Sequence, residues 1–419
     1  MRRWPPRSRF RAGAARAADR YATVEHFKSG NAILLLRNGA EYFPALIAAI
    51  DAAEQEVWLE TYIFADDASG RAIAAAFVRA AQRGVMVRVL VDGWGARQFL
   101  TPSLAAFLSS GGVHLMKYRP EVAPWLFRSH RLRRLHRKIC QVDGRVAFVG
   151  GINLIDDMNT PRHKPPRVDF AVRVEGPMLA PIVMTMQRLW ALVELTQLDM
   201  SDVPLFPVPI ATQDAGTQSA KFAIRDNLGH RQDIEHDYMA AILTAKKEIL
   251  IATAYFFPGI HFRRALTAAA QRGVQVTLLL QARVEYRLLH YASRALYGQL
   301  LDAGIRIQEY HRSFLHAKVA VVDDHWATVG SSNIDPYSLL MAREANVFVR
   351  DPYFADQLRL ELVQMIADGA RPMAAERWAG RGLVERALTW VAYGIVRIGM
   401  GVLGYGGNEW FPRKRRGNA

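Results

Sequence analysis

The sequence predicts an α/β protein made of two tandem halves, and two repeated stretches with one recurring pattern support this prediction. Residues 80–85 (AAQRGV) recur as residues 269–274, and residues 48–64 parallel residues 240–256. In both copies a helical stretch precedes an apolar strand, and a second helix ending at Gly precedes another apolar strand. Helices that alternate with nearly continuous apolar strands indicate a buried sheet covered by helices. Two such halves predict a pseudo-two-fold arrangement with one site on the shared axis.

Length and composition agree with a folded chain of more than one domain. The 419 residues are 51% hydrophobic and 22% charged, which excludes a disordered chain. At roughly 100–200 residues per domain, two or three domains are expected. The single cysteine, Cys140, excludes an intrachain disulfide framework and a CxxC-type zinc site. The net charge of +15 points to a phosphate-bearing partner, either nucleic acid or an anionic membrane.

In chain order the sequence predicts five segments. They are a basic N-terminal arm (1–24), a first domain (25–203), a linker (204–224), a second domain (225–376), and a C-terminal membrane-associated segment with a basic tail (377–419). The arm is rich in arginine and has no apolar run, so it is not a secretory signal peptide. The linker begins with three prolines in six residues, which disfavour both helices and central strands.

The C-terminal segment contains an apolar run, residues 387–406, that is interrupted only by Arg397. Its length is close to what a membrane span needs, but it is rich in glycine and carries a charge in its second half. We therefore expect this run to lie in the membrane interface and not to span the bilayer. A buried amphipathic helix is the alternative interpretation.

A duplicated motif carries the chemistry of the chain. Its members are His136, Lys138, Asp143 and Asn153 in the first copy and His316, Lys318, Asp323 and Asn333 in the second. Both copies follow the spacing H-x-K-x4-D-x6-G-[GS]-x-N, and this agreement excludes a chance match. In an extended segment, His and Lys two positions apart point to the same side. Two such corners facing each other would gather two His, two Lys and two Asn around one small anion, a set suited to phosphoryl transfer.

The two aspartates belong to the motif and are therefore candidate catalytic residues, but their positions favour a structural role. Asp143-Gly144 and Asp323-Asp324 have the composition of tight turns that lead into a second strand. Their carboxylates are expected to brace these turns. A lone histidine is more often a surface or core residue than a catalyst. The duplication overturns that interpretation for the His, Lys and Asn residues but not for the aspartates.

The doubled motif resembles the signature of the phospholipase D superfamily, and the resemblance extends over residues 31–360. It implies two tandem phospholipase D-like α/β sandwich domains that share one active site. Within the superfamily, the flanking segments are similar to those of bacterial cardiolipin synthases, most closely the B type. These segments are LETYIF (59–64), HRKICQVDGRVAFVGGIN (136–153), AYFFPG (254–259) and DDHWATVGSSNIDP (323–336).

The resemblance implies an activity, its substrates and a location. One phosphatidylglycerol would donate its phosphatidyl group to the head-group hydroxyl of another, or of phosphatidylethanolamine, giving cardiolipin and the free head-group alcohol. No metal or other cofactor is implied, and the sequence has no Asp/Glu/His cluster with metal-ligand spacing near either motif. The expected partners are anionic phospholipids, phosphatidylglycerol and cardiolipin, bound peripherally at the cytoplasmic face of the bacterial inner membrane.

The resemblance also implies roles for individual residues. His136 would attack the donor phosphorus and form a phosphatidyl-histidine. His316 would protonate the departing alcohol and later deprotonate the acceptor hydroxyl. The residues expected to hold the phosphoryl oxygens are Lys138, Lys318, Asn153 and Asn333. Asp169 and Glu344, further along the chain from each histidine, would each orient an imidazole, and ion pairs of these two acids with neighbouring arginines are the alternative.

Two other functions stay open. With water as the acceptor, the same residues would make a hydrolase, either a phospholipase D or a nuclease. A non-catalytic binding module is the third hypothesis, and the two intact motifs disfavour it. The mixed basic and bulky apolar stretch 119–138 suits an anionic head-group interface, or single-stranded nucleic acid stacked on Trp125 or Phe127. The apolar C-terminal segment and the flanking similarities favour the membrane over nucleic acid.

Overall fold

The fold can be followed through most of the chain. The computed structural model describes residues 27–120, 133–160, 163–197, 208–226, 229–283, 287–335, 342–375, 378, 380 and 382–402. The predicted basic arm, residues 121–132 of the basic and apolar stretch, residues 204–207 of the predicted linker and the tail beyond residue 402 lie outside the described residues.

The first half contains helices and strands in the order that the repeats predict. Its described elements are β1 (Lys28–Arg37), α1 (Asn38–Asp51), β2 (Glu56–Thr61), α2 (Ala68–Gln82), β3 (Met86–Asp92), α3 (Pro102–Ser110), β4 (His114–Tyr118), β5 (Arg134–Leu135), β6 (Lys138–Val142), β7 (Val146–Gly150), β8 (Arg167–Val168), β9 (Phe170–Glu175) and α4 (Leu179–Gln197). Helix α2 begins where the Asp67 side chain accepts the Gly70 N–H, and α3 begins where Thr101 accepts the Leu104 N–H. These caps satisfy donors that the first turn leaves unpaired.

The second half repeats this order and adds helices at its end. Its described elements are β10 (Gln218–Arg225), α5 (Asp233–Thr244), β11 (Glu248–Thr253), α6 (Ile260–Gln271), β12 (Gln275–Gln281), α7 (Arg287–Arg294), α8 (Tyr297–Asp302), β13 (Arg306–Tyr310), β14 (Phe314–Leu315), β15 (Lys318–Val322), β16 (Trp326–Gly330), β17 (Ala342–Arg350), α9 (Pro352–Gly369), β18 (Ala370–Pro372) and α10 (Leu383–Val402). The repeated AQRGV sequence ends a helix in both halves, because Gly84 and Gly273 adopt φ values of +90° and +93°. Glycine reaches this conformation without strain.

The strands form one large mixed sheet in which the two halves are arranged alike. Outward from the central antiparallel pair β1–β10, the first half runs β9, β7, β6, β2, β3 and β4. The second half runs β17, β16, β15, β11, β12 and β13, with β18 at its outer edge. Strands β2, β3 and β4 are parallel to one another, as are β11, β12 and β13. The prediction of an α/β fold with two tandem, pseudo-symmetric halves is therefore confirmed.

Helices cover both faces of this sheet and enclose three cores. Helices α1, α2 and α3 pack residues such as Leu46 and Phe77 against the first half, and α5 to α8 with α10 cover the second half. The third core belongs to both halves. It includes Val149 and Val172 from the first half, Val347 from the second, and the buried sides of α4 and α9. Apolar burial, worth roughly 25 cal/mol per Å², thus holds the two halves together.

Two short strands cross between the halves. Strand β5 pairs in parallel with β17 of the second half, and β14 pairs in parallel with β8 of the first half. Each of these crossing strands ends immediately before a motif histidine. The crossing therefore brings each histidine next to a strand of the opposite half.

The structure gives information on the predicted linker and on the predicted C-terminal segment. Strand β10 begins at Gln218, inside the predicted linker, so we propose a shorter linker that ends before this residue. Helix α10 packs along α7, and its Ala392 and Val396 are buried in the core of the second half. Within the described residues, no helix has both the length and the apolar character needed to cross a membrane.

Candidate active site

The backbone N–H of each motif histidine donates a hydrogen bond to a carbonyl of the opposite half of the chain. His136 follows β5, and its N–H donates to the Arg343 carbonyl at 3.0 Å. His316 follows β14, and its N–H donates to the Val168 carbonyl at 2.8 Å. In each case the residue that follows this carbonyl is the predicted acid of the other half. Each histidine thus lies beside that acid.

Glu344 orients the first imidazole. Its Oε1 lies 2.9 Å from His136 Nδ1, and its other carboxylate oxygen accepts a hydrogen bond from the Ser331 hydroxyl. The Glu344 side chain is fully buried. Because an ionised carboxylate only accepts hydrogen bonds, the His136 proton is assigned to Nδ1. Nε2 is then the nitrogen that can attack a substrate.

Asp169 orients the second imidazole in the same way. Its Oδ2 lies 2.6 Å from His316 Nδ1. Gly151 occupies the position that Ser331 has in the second half, and a Cβ there would clash with the Asp169 carboxylate. Glycine is therefore required at this position, because it leaves room for the acid.

Both motif lysines are buried beside their histidines. Lys138 Nζ donates to the His136 carbonyl and lies 5.6 Å from the centre of the Tyr62 ring, which packs against the His136 imidazole at 4.8 Å. Lys318 Nζ donates to the His316 carbonyl and lies 2.7 Å from Nδ1 of that ring. Buried ammonium groups are stabilised by an anion. A phosphoryl group bound between the histidines would therefore form favourable electrostatic interactions with both lysines.

The two motif asparagines are held by their own halves. Asn153 Oδ1 accepts the Ile63 N–H at 3.2 Å, and Asn333 Oδ1 accepts the Thr253 hydroxyl at 3.4 Å. Within the part of the chain that the structure describes, neither Nδ2 group donates a hydrogen bond. These amide groups are therefore donors available to a phosphoryl oxygen.

The arginines next to the two acids bond elsewhere. Arg167 donates to the Asn159 carbonyl at 3.1 Å, and Arg343 donates to the Tyr118 hydroxyl at 3.2 Å. The acids themselves bond the histidines. This is the arrangement that the resemblance implies, with the added feature that each acid serves the histidine of the other half.

The two acids are held in the ionised form. Burial favours the neutral acid, but the charge and hydrogen bond of His136, together with Lys138, outweigh it and lower the pKa of Glu344. For the other acid, the charge of Lys318 and the hydrogen bond of His316 outweigh burial and lower the pKa of Asp169. Each ionised carboxylate can therefore accept a hydrogen bond from the Nδ1–H of its imidazole.

Burial has the opposite consequence for the bases. It lowers the pKa of His136, with Lys138 adding to the effect and Glu344 opposing it. It lowers the pKa of His316 to about 3, with the Lys318 charge contributing, and that of Lys138 to about 7. Both imidazoles are therefore neutral near pH 7 in the substrate-free protein. The charged groups of one motif also shift the pKa values of the other, since Lys318 contributes to the lowering for both His136 and Lys138.

The motif aspartates lie away from this site and brace turns. The Asp143 carboxylate accepts the backbone N–H groups of residues 54–56 at 2.8 Å each. Asp323 accepts those of residues 246–248 at 2.8 to 3.1 Å. Strand β6, which is 5 residues long and spans about 16 Å, lies between Asp143 and the end of the motif that carries His136. These bonds agree with the expected bracing role, and we propose that the two aspartates take no direct part in catalysis.

The sequence analysis missed two residues that position the histidines. Asp92 Oδ2 accepts the Leu135 N–H at 2.7 Å, and Gln281 Oε1 accepts the Leu315 N–H at 2.8 Å. Both end an apolar strand, β3 or β12, at equivalent points of the repeat. The signal that could have found them is a polar residue closing an apolar strand in both copies (VLVD and LLLQ).

The basic stretch before the first motif is partly internal. Arg137 is 1% exposed and forms an ion pair with the buried Glu60. Arg134 lies 3.6 Å from the buried Asp92. Arg137 is therefore not available to a surface for anionic head groups, and the central part of the stretch lies outside the described residues.

The assembled groups can catalyse displacement at phosphorus. One imidazole can attack, the other can move a proton, and two lysines and two amides can hold the non-bridging oxygens. Across the described ranges between residues 27 and 402, no group of three or more His, Cys, Asp or Glu side chains is arranged to hold a metal ion.

Comparison with known proteins gives one family and several relatives. The sequence model described as "Cardiolipin synthase, PLD-like domain" matches residues 46–163 and 238–366. Cardiolipin synthase B of Salmonella typhi is 38% identical over 355 residues, which cover 82% of this chain and 83% of that protein. Cardiolipin synthase B of Escherichia coli (strain K12) is 37% identical over 351 residues, which cover 81% of this chain and 82% of that protein.

A solved structure shares the fold. Phosphatidylserine synthase of Haemophilus influenzae Rd KW20 superposes with a TM-score of 0.67 at 14% sequence identity, covering 94% of this chain and 99% of that chain. At this identity the likeness shows the architecture alone.

Proposed function

The chain belongs to the family of cardiolipin synthases with phospholipase D-like domains, and from this premise we propose that it makes cardiolipin by phosphatidyl transfer. The donor is phosphatidylglycerol, and the acceptor is the head-group hydroxyl of a second phosphatidylglycerol or a related phospholipid. The observation that carries the proposal is the crossed pair of hydrogen bonds, in which Glu344 orients His136 and Asp169 orients His316. Two oriented imidazoles in one site suit a two-step displacement at phosphorus.

In the first step, His136 Nε2 attacks the donor phosphorus, and the bond from phosphorus to the head-group oxygen breaks. A protonated His316 gives its proton to that oxygen, so that glycerol leaves as the neutral alcohol. The product is a phosphatidyl-histidine at His136. Lys138, Lys318 and the two asparagine amides stabilise the charge on the non-bridging oxygens.

This step needs one neutral and one protonated imidazole. In the substrate-free protein, burial and Lys318 lower the pKa of His316 to about 3. A phosphodiester anion bound between the lysines adds negative charge beside the ring and raises that pKa. Substrate binding therefore increases the protonated fraction of His316, which is the form that can protonate the departing oxygen.

In the second step, the now neutral His316 takes the proton of the acceptor hydroxyl, and the acceptor oxygen attacks the phosphorus. The bond between phosphorus and His136 breaks. Cardiolipin is released, His136 is neutral again and His316 is protonated again, so the cycle balances with one glycerol released for each cardiolipin. With water as the acceptor the same steps would give phosphatidic acid.

Helix α10 is the element that we propose binds the membrane surface. Its exposed side carries an apolar stripe at helical spacing, formed by Val384 (74% exposed), Leu388 (51%), Val391 (60%), Ile395 (52%) and Ile398 (70%). Surface helices normally carry polar side chains on this side, so the stripe suits the boundary between head groups and acyl chains. The net charge of +15 favours the anionic cytoplasmic leaflet of the bacterial inner membrane.

Incubation of the purified protein with phosphatidylglycerol vesicles, followed by separation of the lipids, tests the activity. Cardiolipin and an equal amount of glycerol are expected. Phosphatidic acid as the sole product would replace synthesis by hydrolysis, and unchanged lipid would exclude both reactions. His136→Ala keeps His316 and should give no cardiolipin. A phosphatidyl adduct trapped on His316 in that variant would reverse the roles of the two histidines.

A further inference from the structure

A cavity in the second half takes no part in the mechanism above. Its volume is about 330 Å³, and the residues that line it are Ala282, Arg283, Arg287, His290, Tyr291 and His311. Two guanidinium groups and two imidazoles thus surround one open space, and none of the lining side chains that the structure describes is acidic. Arginine is always charged, and its planar fork matches the oxygens of a phosphate.

The cavity lies at the end of the strands at which the second motif begins. Ala282 follows β12 and His311 follows β13, and both strands run parallel to β11, which pairs with β15 of the motif. Gln281, next to the cavity, bonds the N–H of Leu315, the residue before His316. Only β11 separates β12 from β15 in the sheet, so the cavity wall is about 10 Å from the motif strand.

The cavity also adjoins the proposed membrane-binding helix. Helix α7 supplies Arg287, His290 and Tyr291 to the cavity, and α10 packs along α7. Helix α7 therefore contacts both the cavity and the element with the exposed apolar stripe. A lipid head group at the surface beside α10 would meet these basic residues on its way to the motif histidines.

We propose that this cavity binds the phosphodiester of the acceptor phospholipid. The inference rests on the proposed function, in which the acceptor carries a phosphate of its own while its hydroxyl reaches the phosphorus on His136. That second phosphate stays intact and anionic throughout, so it is best held by cations other than the two motif lysines. An acceptor without a phosphate, such as free glycerol, would gain no binding from the cavity.

Among the described residues, the charges around the cavity are mainly positive. Glu309, on β13, lies 3.9 Å from His311 Nε2, but its carboxylate is already paired with Arg294 at 2.6 Å. Burial and the Arg294 charge lower the pKa of His290 to about 4, so His290 acts as a neutral hydrogen-bond donor. The positive charge that meets the ligand therefore comes from the two cavity arginines.

The test lets two acceptors compete for the same phosphatidyl-histidine. The protein receives phosphatidylglycerol in detergent micelles together with labelled glycerol. Attack by the lipid gives cardiolipin, and attack by glycerol gives labelled phosphatidylglycerol. Because both products come from one intermediate, their ratio depends neither on donor binding nor on the amount of folded enzyme.

In Arg283→Ala/Arg287→Ala, we expect the ratio of cardiolipin to labelled phosphatidylglycerol to fall about tenfold, because charge-assisted hydrogen bonds to the acceptor are lost. Arg283→Lys/Arg287→Lys keeps the charges and should recover part of the ratio. Arg306→Ala is the matched control. It removes an exposed arginine at the opposite end of β13 and should give the wild-type ratio.

An unchanged ratio in the double alanine variant overturns this inference and leaves the proposed function standing. Absence of cardiolipin from the wild-type reaction overturns the proposed function itself. Inorganic phosphate at constant ionic strength distinguishes a lipid phosphate from a free one. A lipid site predicts that phosphate lowers the ratio in the wild type and not in the alanine variant. Equal slowing of both products by phosphate, with the ratio unchanged, overturns the inference in favour of a site for the free anion.

Discussion

At the scale of single residues, the two imidazoles are oriented by acids of different length. Glu344 reaches His136 and receives a second hydrogen bond from Ser331, whereas Asp169 reaches His316 beside a glycine. The two histidines therefore have different surroundings although their motifs share one spacing. Different surroundings give different proton affinities, which is what separate roles as nucleophile and proton carrier require.

Glu344→Gln tests the positioning of the nucleophile. The variant keeps the shape of the side chain but loses the charge, and kcat is expected to fall about 100-fold, because an amide does not stabilise the positive charge on His136 and can bond either tautomer of the ring. The Glu344 charge raises the pKa of His136 against burial, so its loss lowers that pKa further. The acid limb of kcat/KM, where His136 must be neutral, should then move to lower pH.

Ser331→Ala is the control for this variant, since it keeps the carboxylate and removes one hydrogen bond to it. We expect kcat to fall by about tenfold or less. An acid limb that stays at the wild-type pH in Glu344→Gln would show that Glu344 acts through structure alone.

Asp143→Asn tests whether the motif aspartate braces a turn. Asparagine keeps one acceptor oxygen, so backbone N–H groups among residues 54–56 lose part of their bonding. The free energy of unfolding, measured with urea, should fall by about 1–3 kcal/mol, while kcat of the folded protein is unchanged. Asp323→Asn should behave in the same way. Loss of kcat at unchanged stability would return these residues to the catalytic set.

At the scale of helices and strands, α10 connects two environments. Ala392 and Val396 are buried against the second half, while the stripe that begins at Val384 faces outward. Removing the chain from residue 387 onward would take away both sides at once. Substitution of the outward side alone therefore separates membrane binding from folding.

Leu388→Ser/Ile395→Ser should weaken binding to phosphatidylglycerol vesicles by at least about tenfold, measured by co-sedimentation, because a buried aliphatic side chain contributes about 1.5–3 kcal/mol. Leu360→Ser, on α9, is the matched control, since Leu360 is 56% exposed. High salt should weaken binding of the wild-type protein without abolishing it, because apolar burial is not screened. Equal losses in the control and the double variant would contradict attachment through α10.

The strands that carry the site could be predicted from the sequence, but the way they meet could not. Repeats and apolar runs indicate β6 and β15, and the two-residue period places His and Lys on one side. The pairs β5–β17 and β8–β14 are two residues long and join distant parts of the chain, so no local pattern encodes them. The resemblance to the superfamily therefore implies roles for Asp169 and Glu344 without showing which histidine each acid faces. The burial of Arg137 could not be predicted for a similar reason, because its partner Glu60 is remote in sequence.

At the scale of the whole molecule, neither half holds a complete site. The halves are joined by β1–β10, by the two crossing pairs and by the shared core. A protease site inserted between residues 200 and 205 tests this arrangement. After cleavage, the two fragments should elute together in size-exclusion chromatography and keep the kcat of the uncleaved protein, since each supplies the acid for the other. Fragments that elute separately yet retain activity would show that one half is sufficient.

The crossed acids also affect how mutation can reshape this enzyme. In a dimer of identical subunits every substitution is made twice, so both histidines would always face the same acid. Here one chain carries two separate copies, and a change at Gly151 or Asp169 alters the surroundings of one imidazole while the other is left as it was. Natural selection can therefore adjust proton transfer, or admit a new acceptor, in one half without sacrificing the nucleophile in the other.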